Sequence, residues 1–176
     1  GLPGGVLPGT MSILSWNCRG VGKAATVQEI RELVRKFAPT LLCIFETQID
    51  RVRVENLVSS FGYDNAFVVS SQGRSGGLGI FWNNPMKIEI LGYSMYHIDC
   101  KIDEPGSDSV RATCFYGEAQ THLRHQTWDT MKGIASLSEL PWVCFGDFNE
   151  VLRPEEQESI GERSNAQIQG FREVVD

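Results

Sequence analysis

Five strand candidates follow one another in the middle of the chain, and no helical pattern separates them. This run constrains the fold more than any other feature of the sequence. The segment 96–102 alternates apolar and polar residues, as a strand with one buried face does. Short connections favour antiparallel pairing, so the middle of the chain is predicted to form antiparallel β-structure. The candidates are 65–70, 78–82, 87–93, 96–102 and 110–116.

Helical patterns lie on both sides of this run. An apolar stripe at helical spacing covers 27–37, and Thr26 and Glu29 have the spacing of a capping box at its start. Helices at both ends of an antiparallel run predict an α+β fold built in layers. The other predicted elements are buried strands at 11–16, 41–45 and 142–145, and helices at 54–61, at 128–137 and from Ile168 onward.

The composition is that of an ordinary globular domain, with 41% hydrophobic and 22% charged residues. We expect one domain over residues 11–176, with Met11 as its natural start and residues 1–10 as a flexible leader or a cloning remnant. No stretch approaches the roughly 18 consecutive apolar residues that a membrane helix needs, so no membrane partner is expected. The net charge of −6 does not suggest a dedicated nucleic-acid-binding module, which would normally be basic.

The cysteine pattern indicates the redox state of the cellular compartment in which the protein is expected. The chain has five cysteines without a CxxC pair, and most of them lie in apolar runs, where a thiol behaves as a small hydrophobic group. This pattern argues against a zinc site or a disulfide framework. It favours a reducing compartment, so a nuclear or cytoplasmic location is expected.

Three apolar runs end in motifs that carry polar or acidic side chains. Side chains at strand ends can be held rigidly at one edge of a sheet while they still reach solvent and substrate. A hard cation such as Mg²⁺ takes oxygen ligands, commonly one or two carboxylates with waters and phosphate. Glu46 suits that role, and Asn17 can supply an amide oxygen or orient the site. The motifs are SWNCRG (15–20), FETQ (45–48) and GDFN (146–149).

Asp147 and Asn149 of the third motif suit chemistry on a phosphate group. A carboxylate can orient or deprotonate a water, and an amide can hold a phosphate oxygen. Taken alone, an acidic residue at a strand end is more often a helix cap or a turn residue. The three motifs together, in this order, are hard to explain as three unrelated turns.

These motifs resemble the endonuclease/exonuclease/phosphatase family, in the version carried by the endonuclease domain of plant LINE-type (non-LTR) retrotransposons. The resemblance runs from Met11 to the end of the sequence, and several of its motifs are specific. The residues that carry it are LSWNCRGVG (14–22), FETQ (45–48), GRSGGLGIFW (73–82), YHIDCKI (96–102), CFYGEA (114–119) and LPWVCFGDFNEVL (140–152).

The resemblance implies a DNase I-like fold, a four-layer α/β/β/α sandwich with two β-sheets face to face and helices outside. It implies cleavage of phosphodiester or phosphomonoester bonds with a divalent metal, magnesium or manganese, and DNA as the substrate. Glu46 corresponds to the family's metal-binding glutamate. Asn17 matches an asparagine near the metal and the substrate, so it is expected to serve both the metal site and catalysis.

The remaining site residues follow from the same resemblance. Asp147 matches the aspartate that activates the attacking water, and Asn149 matches the asparagine that binds the phosphate during catalysis. Tyr116 matches a tyrosine beside the scissile phosphate, so it is expected to be catalytic and substrate-binding. Arg74, in the GRSGG motif, is expected to bind the substrate.

Two features depart from the family pattern. Gln48 stands where relatives usually carry lysine, which removes a positive charge near an anionic substrate. The family's final strands, with an SDH motif that supplies a catalytic aspartate and histidine, are missing, and no histidine of this chain is a convincing substitute. The resemblance therefore implies a C-terminally truncated domain that is weakly active or inactive. It also predicts an open edge at strand 12–16, through which copies of the chain could self-associate.

Two functions stay open on these grounds. The first is a magnesium-dependent phosphodiester hydrolase domain resembling a retrotransposon DNA endonuclease. The alternative is a non-catalytic, transposon-derived binding or regulatory protein that retains the fold. A phosphatase acting on small or lipid phosphates would share the core residues, but the LINE-like motifs around them disfavour it.

Overall fold

In the computed structural model, the described part of the chain comprises residues 11–116, 129, 133, 140, 142–147 and 166–170, with Asp147 and 166–170 described by their backbone alone. The helices in this part are α1 (Ala24–Phe37) and α2 (Arg51–Glu55). The strands are β1 (Ser12–Asn17), β2 (Leu41–Phe45), β3 (Asn65–Val69), β4 (Leu78–Trp82), β5 (Lys87–Ser94), β6 (His97–Asp103), β7 (Val110–Tyr116), β8 (Trp142–Asp147) and β9 (Ala166–Gly170).

The first sheet holds its strands in the order β3-β4-β2-β1-β9. β1 and β2 are parallel, and α1 forms the crossover that a parallel pair needs. The other neighbours in this sheet are antiparallel. Every residue of β2 and β4 is buried, as expected of central strands covered on both faces.

The second sheet holds its strands in the order β5-β6-β7-β8. β5, β6 and β7 form an antiparallel meander, and β8 is parallel to β7. The five strands predicted in the middle of the chain are therefore confirmed. They divide between the sheets, because β3 and β4 pair with β2 while β5 begins the second sheet.

The two sheets pack face to face around a shared apolar core, and α1 and α2 cover the opposite face of the first sheet. Ile30 of α1 and Val54 of α2 are completely buried against that face. A helical layer and two sheets therefore follow one another, which confirms the predicted α+β sandwich. The core between the sheets includes Ile13, Leu41, Cys43, Phe45, Leu78, Ile80, Ile98, Cys100, Ile102, Ala112, Cys114, Val143 and Phe145.

The helix predicted at 128–137 lies outside the described residues except at Asp129 and Gly133, which are both helical. In the described part of the chain, no helix is both long enough and apolar enough to cross a membrane.

The segment 166–170 pairs with β1, where a helix and an open edge were predicted. β9 runs antiparallel to β1, with Ser12 opposite Gly170 and Trp16 opposite Ala166. The prediction of a helix from Ile168 is therefore wrong for residues 168–170, and the prediction of an open β1 edge is also wrong. An unpaired strand edge is a template for a further strand, and AQIQG alternates apolar and polar residues as a strand does. Self-association through the β1 edge thereby loses its basis.

The helices also begin and end differently from the prediction. Lys23 is the N-cap of α1 and makes no side-chain cap hydrogen bond, so Thr26 and Glu29 lie inside the helix rather than at a capping box. α2 covers only Val54 and Glu55 of the helix predicted at 54–61. In α1 the packing of the apolar stripe, rather than local capping chemistry, accounts for the helix. α2, by contrast, is capped by Asp50, whose carboxylate accepts a hydrogen bond from the Arg53 backbone N–H.

Cys43 of β2 and Cys114 of β7 face each other across the two sheets and are joined by a disulfide. This corrects the expectation that the cysteines of this chain form no disulfide framework. Cysteines scattered along apolar runs can still meet when both strands turn them toward one core. Cys18 and Cys100 are free and buried, and Cys144 is free and half-buried.

A buried ion pair connects β6 and β7. The Arg111 guanidinium donates through Nε and Nη2 to the Asp99 carboxylate, at 2.9 and 2.6 Å. The Thr113 hydroxyl donates to the same carboxylate at 2.9 Å and accepts from the Trp142 indole N–H at 2.8 Å. Both members of the pair are buried, so each depends on the other for the neutralisation of its charge.

Replacing Asp99 with alanine is expected to destabilise the fold by roughly 3–5 kcal/mol, because it leaves the Arg111 charge buried and unpaired. Urea denaturation measures the change in the free energy of unfolding. Asp108→Ala, in the exposed turn before β7, is the matched control and is expected to change stability by less than about 0.5 kcal/mol. Equal effects of the two substitutions would contradict this account of the pair.

Candidate active site

The site lies at a rim where strands of both sheets end together. Cys43 is bonded to Cys114, and two residues further along each strand the rings of Phe45 and Tyr116 stack, with centroids 6.2 Å apart. Both strands pass from the first contact to the second in the same chain direction. β2 and β7 therefore run side by side in the same direction. β1 is parallel to β2 and β8 is parallel to β7, so the carboxyl ends of all four strands lie at this rim.

Asn17 and Glu46 are the first predicted site residues that the rim brings together. Asn17 ends β1 and Glu46 follows β2 directly. The Asn17 side-chain Nδ2 donates a hydrogen bond to Glu46 Oε2, and Asn17 Oδ1 accepts one from the Arg19 backbone N–H at 3.1 Å. With both of its ends engaged, the amide fixes the orientation of the Glu46 carboxylate, which remains half-exposed.

The backbone that carries Glu46 is held from both sides. The Gly20 N–H, from the loop after β1, donates to the Glu46 carbonyl at 2.8 Å. The Gln48 N–H donates to the Gly76 carbonyl, in the loop before β4, at 2.9 Å. These bonds continue the pairing of β2 with both of its neighbours beyond the end of the strand. The segment 46–48 is therefore fixed to two loops at once.

Three residues at this rim adopt left-handed backbone conformations although none of them is glycine. Their φ angles are +49° at Arg19, +57° at Glu46 and +60° at Gln48. Each costs on the order of 1–2 kcal/mol relative to right-handed backbone. Such strain persists only where the surrounding structure imposes it, and it concentrates at functional sites. The sequence carried no signal for these conformations, because the residues are not those that usually adopt them.

Gly77 allows the loop before β4 to approach the segment 46–48. Its φ is +99°, and a Cβ added there would lie 2.0 Å from the Thr47 hydroxyl oxygen. Thr47 itself is completely buried. The third glycine of the GRSGG motif is thus a packing requirement of the Glu46 loop.

Tyr116 and Asp147 end β7 and β8, and the parallel register places their Cα atoms opposite each other. Gly146 allows this close pairing, because a Cβ there would lie 1.9 Å from the Phe115 carbonyl oxygen, at a φ of +146°. The Tyr116 N–H also donates to the Tyr96 carbonyl at 2.8 Å. The glycine of the GDFN motif therefore has a structural role beside its acidic neighbour.

The structure thus brings four of the predicted positions to one rim. Asn17, Glu46, Tyr116 and the backbone of Asp147 share the rim, and Asn149 lies outside the described residues. Arg74 is exposed and lines a cleft beside the rim. In the described part of the chain, no three or more His, Cys, Asp or Glu side chains are grouped so that they could hold a metal ion.

Cys18 lies next to Asn17 but is not a nucleophile at neutral pH. Burial, with a smaller contribution from the negative charge of Glu46, raises the pKa of its thiol to about 12. The thiol donates a hydrogen bond to the Phe45 carbonyl at 3.2 Å. Since the thiolate is the reactive form, Cys18 serves as a buried packing residue.

His97 also has a structural environment. Its Nδ1 lies 2.6 Å from the Ser94 hydroxyl, and its ring stacks on Phe115 with centroids 5.9 Å apart. Burial lowers the pKa of His97 from its ordinary value, although Asp99 opposes the shift. A neutral ring that is stacked and hydrogen-bonded within the sheet suits packing better than phosphate chemistry.

Solved structures share this fold at low sequence identity. An AP endonuclease from Archaeoglobus fulgidus matches with a TM-score of 0.61 at 16% identity, over 82% of this chain and 59% of that chain. A humanized D. rerio TDP2 matches with a TM-score of 0.59 at 15% identity, over 91% and 81%. The 3' phosphatase NExo from Neisseria, bound to a product DNA hairpin, matches with a TM-score of 0.57 at 18% identity, over 79% and 58%. The chain therefore has the class of fold that these proteins share, and it spans less than two thirds of the endonuclease and of NExo.

The sequence model of the Endonuclease/Exonuclease/phosphatase family matches residues 14–170. That range is most of the chain, so the chain belongs to this family, as its motifs predicted. No curated protein sequence matches the chain.

Replacing Gly77 with alanine is expected to destabilise the protein far more than the same change at Gly76. Both glycines have positive φ, but only at Gly77 does a Cβ meet the Thr47 hydroxyl, while none of the described atoms lies within 4 Å at Gly76. Gly76→Ala should cost about 1–2 kcal/mol for its conformation. Gly77→Ala should cost about 1–3 kcal/mol more for the overlap. Chemical denaturation measures both, and equal losses would contradict the assigned contact.

Proposed function

We propose that this chain is a magnesium- or manganese-dependent phosphodiester hydrolase domain that acts on DNA and resembles a retrotransposon DNA endonuclease. The observation that carries the proposal is the rim, where the Asn17–Glu46 pair lies at the ends of β1 and β2, beside Tyr116. The pairing of Tyr116 with the backbone of Asp147 supports the same assignment.

The donor atoms at the rim suit a hard divalent cation. Glu46 offers a half-exposed carboxylate, and its oriented neighbour Asn17 offers an amide. Magnesium is commonly held by one or two carboxylates together with waters and substrate phosphate. When bound there, such an ion supplies Lewis-acid stabilisation of the charge on the phosphate and on the leaving oxygen.

The other residues are assigned to the phosphate and the water. Asp147 takes a proton from the attacking water while the water oxygen bonds to phosphorus and the bond to the leaving oxygen breaks. Asn149 donates a hydrogen bond to a phosphate oxygen, and Tyr116 contacts the same group. Asn17 acts through Glu46, which it holds in place.

DNA is the proposed substrate on two grounds. The motifs resemble those of retrotransposon endonucleases, and neighbours of the same fold include an AP endonuclease and a 3' phosphatase bound to a DNA hairpin. We propose weak turnover for the 176-residue chain by itself. Gln48 brings no positive charge to the rim, and these residues contain no SDH motif.

The chain is expected to nick supercoiled plasmid slowly in the presence of magnesium or manganese. Glu46→Ala and Asp147→Ala should each lower the nicking rate by about 100-fold or more, because each removes a group that acts on the reacting phosphate. Agarose gels of plasmid against time measure the rate.

Glu29→Ala, which removes an exposed carboxylate on α1, is the control and should nick at the rate of the unchanged chain. Nicking that persists in both site variants would show that the activity does not come from this rim. Absence of nicking by the unchanged chain with either metal would instead favour a non-catalytic DNA-binding or regulatory protein.

A further inference from the structure

Two motifs of the sequence contain polar residues that the rim does not use. YHIDCKI supplies Asp99 on β6, and LPWVCFGDFNEVL supplies Trp142 at the start of β8. The structure connects the two through the Thr113 hydroxyl of β7, which donates to the Asp99 carboxylate and accepts from the Trp142 indole N–H. With the partner of Asp99 in the buried ion pair, these residues form a polar network across three strands: Asp99, Arg111, Thr113 and Trp142.

The polar network lies on the face of the second sheet that points away from the first sheet. Its neighbours along the strands, Ala112 and Val143 among them, belong to the core between the sheets, and successive residues of a strand point to opposite faces. The members on β6 and β7 are buried, and Trp142 is half-buried. Because buried polar groups depend on one another for partners, each hydrogen bond of the network constrains the next.

The ion pair fixes the direction of the Thr113 hydroxyl. The Arg111 guanidinium only donates, so the Asp99 carboxylate accepts from it and also accepts the Thr113 hydroxyl proton, at 2.9 Å. The lone pairs of the hydroxyl oxygen are then left for the Trp142 indole N–H, which donates at 2.8 Å. An indole has one donor and no acceptor, so it requires an oxygen that is held in this orientation.

The hydrogen bond between Trp142 and Thr113 can form in only one register of β8. In the parallel pairing Trp142 lies opposite Arg111, and its indole reaches the residue two positions further along β7. A shift of β8 by one residue would turn Trp142 to the core face of the sheet. A shift by two residues would keep the face but move the side chain by about 6.6 Å along β7. Either shift breaks the bond.

β8 needs such a bond because few contacts of its backbone fix its position. In the described part of the chain it is the last strand of the second sheet and pairs with β7 alone. Its other end is fixed by Gly146, where the close approach to the Phe115 carbonyl leaves no room for a side chain. The Trp142 bond and the glycine thus hold β8 at both of its ends, and Asp147 directly follows the glycine.

We infer that Thr113 and Trp142 are positioning residues, which hold β8 in register with β7 and thereby place Asp147 at the rim. The inference rests on the proposed function, in which Asp147 takes a proton from the attacking water. The polar network belongs to the second sheet, whereas Asn17 and Glu46 lie at the ends of strands of the first sheet. Loss of the Trp142 bond should therefore slow the chemical step and leave the cation site unchanged.

Hydrogen exchange followed by mass spectrometry tests the effect on β8 and requires no activity. Thr113→Val keeps the branched side chain but removes the hydroxyl, so the amides of 142–147 should exchange about tenfold faster. Those of 41–45, in the first sheet, should exchange as in the unchanged chain. Thr113→Ser keeps the hydroxyl and should keep the slow exchange. Trp142→Phe removes the donor of the same bond and should reproduce the effect of Thr113→Val.

Hydrolysis of bis(4-nitrophenyl) phosphate with manganese tests the consequence for the site. Trp142→Phe should lower kcat about tenfold at an unchanged KM, since a small displacement of a reacting group has a large effect on rate. Its affinity for Mn²⁺ should equal that of the unchanged chain. An unchanged kcat would overturn the inference, and so would a loss of Mn²⁺ affinity as large as the loss of kcat.

The matched control is Cys144→Ala, on the same face of β8 as Trp142. Burial raises the pKa of the Cys144 thiol, with smaller effects of Asp99 and Arg111, so this side chain lies beside the polar network. It takes no part in the hydrogen bonds of the network. The control should keep both the kcat and the exchange rates of the unchanged chain. Equal effects of Cys144→Ala and Trp142→Phe would reduce the result to altered packing and overturn the inference.

The two readouts distinguish this inference from the proposed function. Absence of hydrolysis by the unchanged chain would overturn the proposed function, and the exchange rates would still show whether the Trp142 bond holds β8. Exchange of 142–147 that is unchanged in both Thr113→Val and Trp142→Phe would overturn the inference, whatever the hydrolysis result. Equal acceleration in 142–147 and 41–45 would do the same, because it would show a general loss of stability.

Discussion

The arrangement of this site depends on the backbone hydrogen bonds that hold the segment 46–48 between two loops. They fix Glu46 and Gln48 in left-handed conformations that neither residue would adopt alone. Because the segment is held, Asn17 can orient the Glu46 carboxylate with a single amide. The same segment connects the rim, which carries Glu46, with the cleft that Gln48 lines.

The two-sheet core supplies the other half of the site. β2 and β7 contact each other at the Cys43–Cys114 disulfide and at the stacked rings of Phe45 and Tyr116, so their ends cannot drift apart without disturbing the core. Gly146 then brings β8 against β7 at the position that precedes Asp147. The site residues thus come from strands that are distant in sequence but end together.

Much of this could be predicted from the sequence, because apolar alternation and strand-end motifs are local patterns. They predicted most strands and the positions of Asn17, Glu46, Tyr116 and Asp147 at strand ends. Two features could not be predicted: the pairing of 166–170 with β1 and the Cys43–Cys114 contact. Both depend on which strands are neighbours in the fold, and the spacing of apolar residues along the chain does not contain that information. The cleft escaped prediction for the same reason, since Lys23 and Arg53 belong to different elements and come together only in the fold.

Manganese binding tests the central claim most directly, because it asks whether Glu46 and its orienting amide form a cation site without requiring turnover. Electron paramagnetic resonance of free Mn²⁺ during titration gives the affinity. Glu46→Gln should remove the binding at this site, and Asn17→Ala should weaken it by about 10–100-fold, as the loss of an orienting partner does. Titration curves of both variants that coincide with that of the unchanged chain would contradict the account.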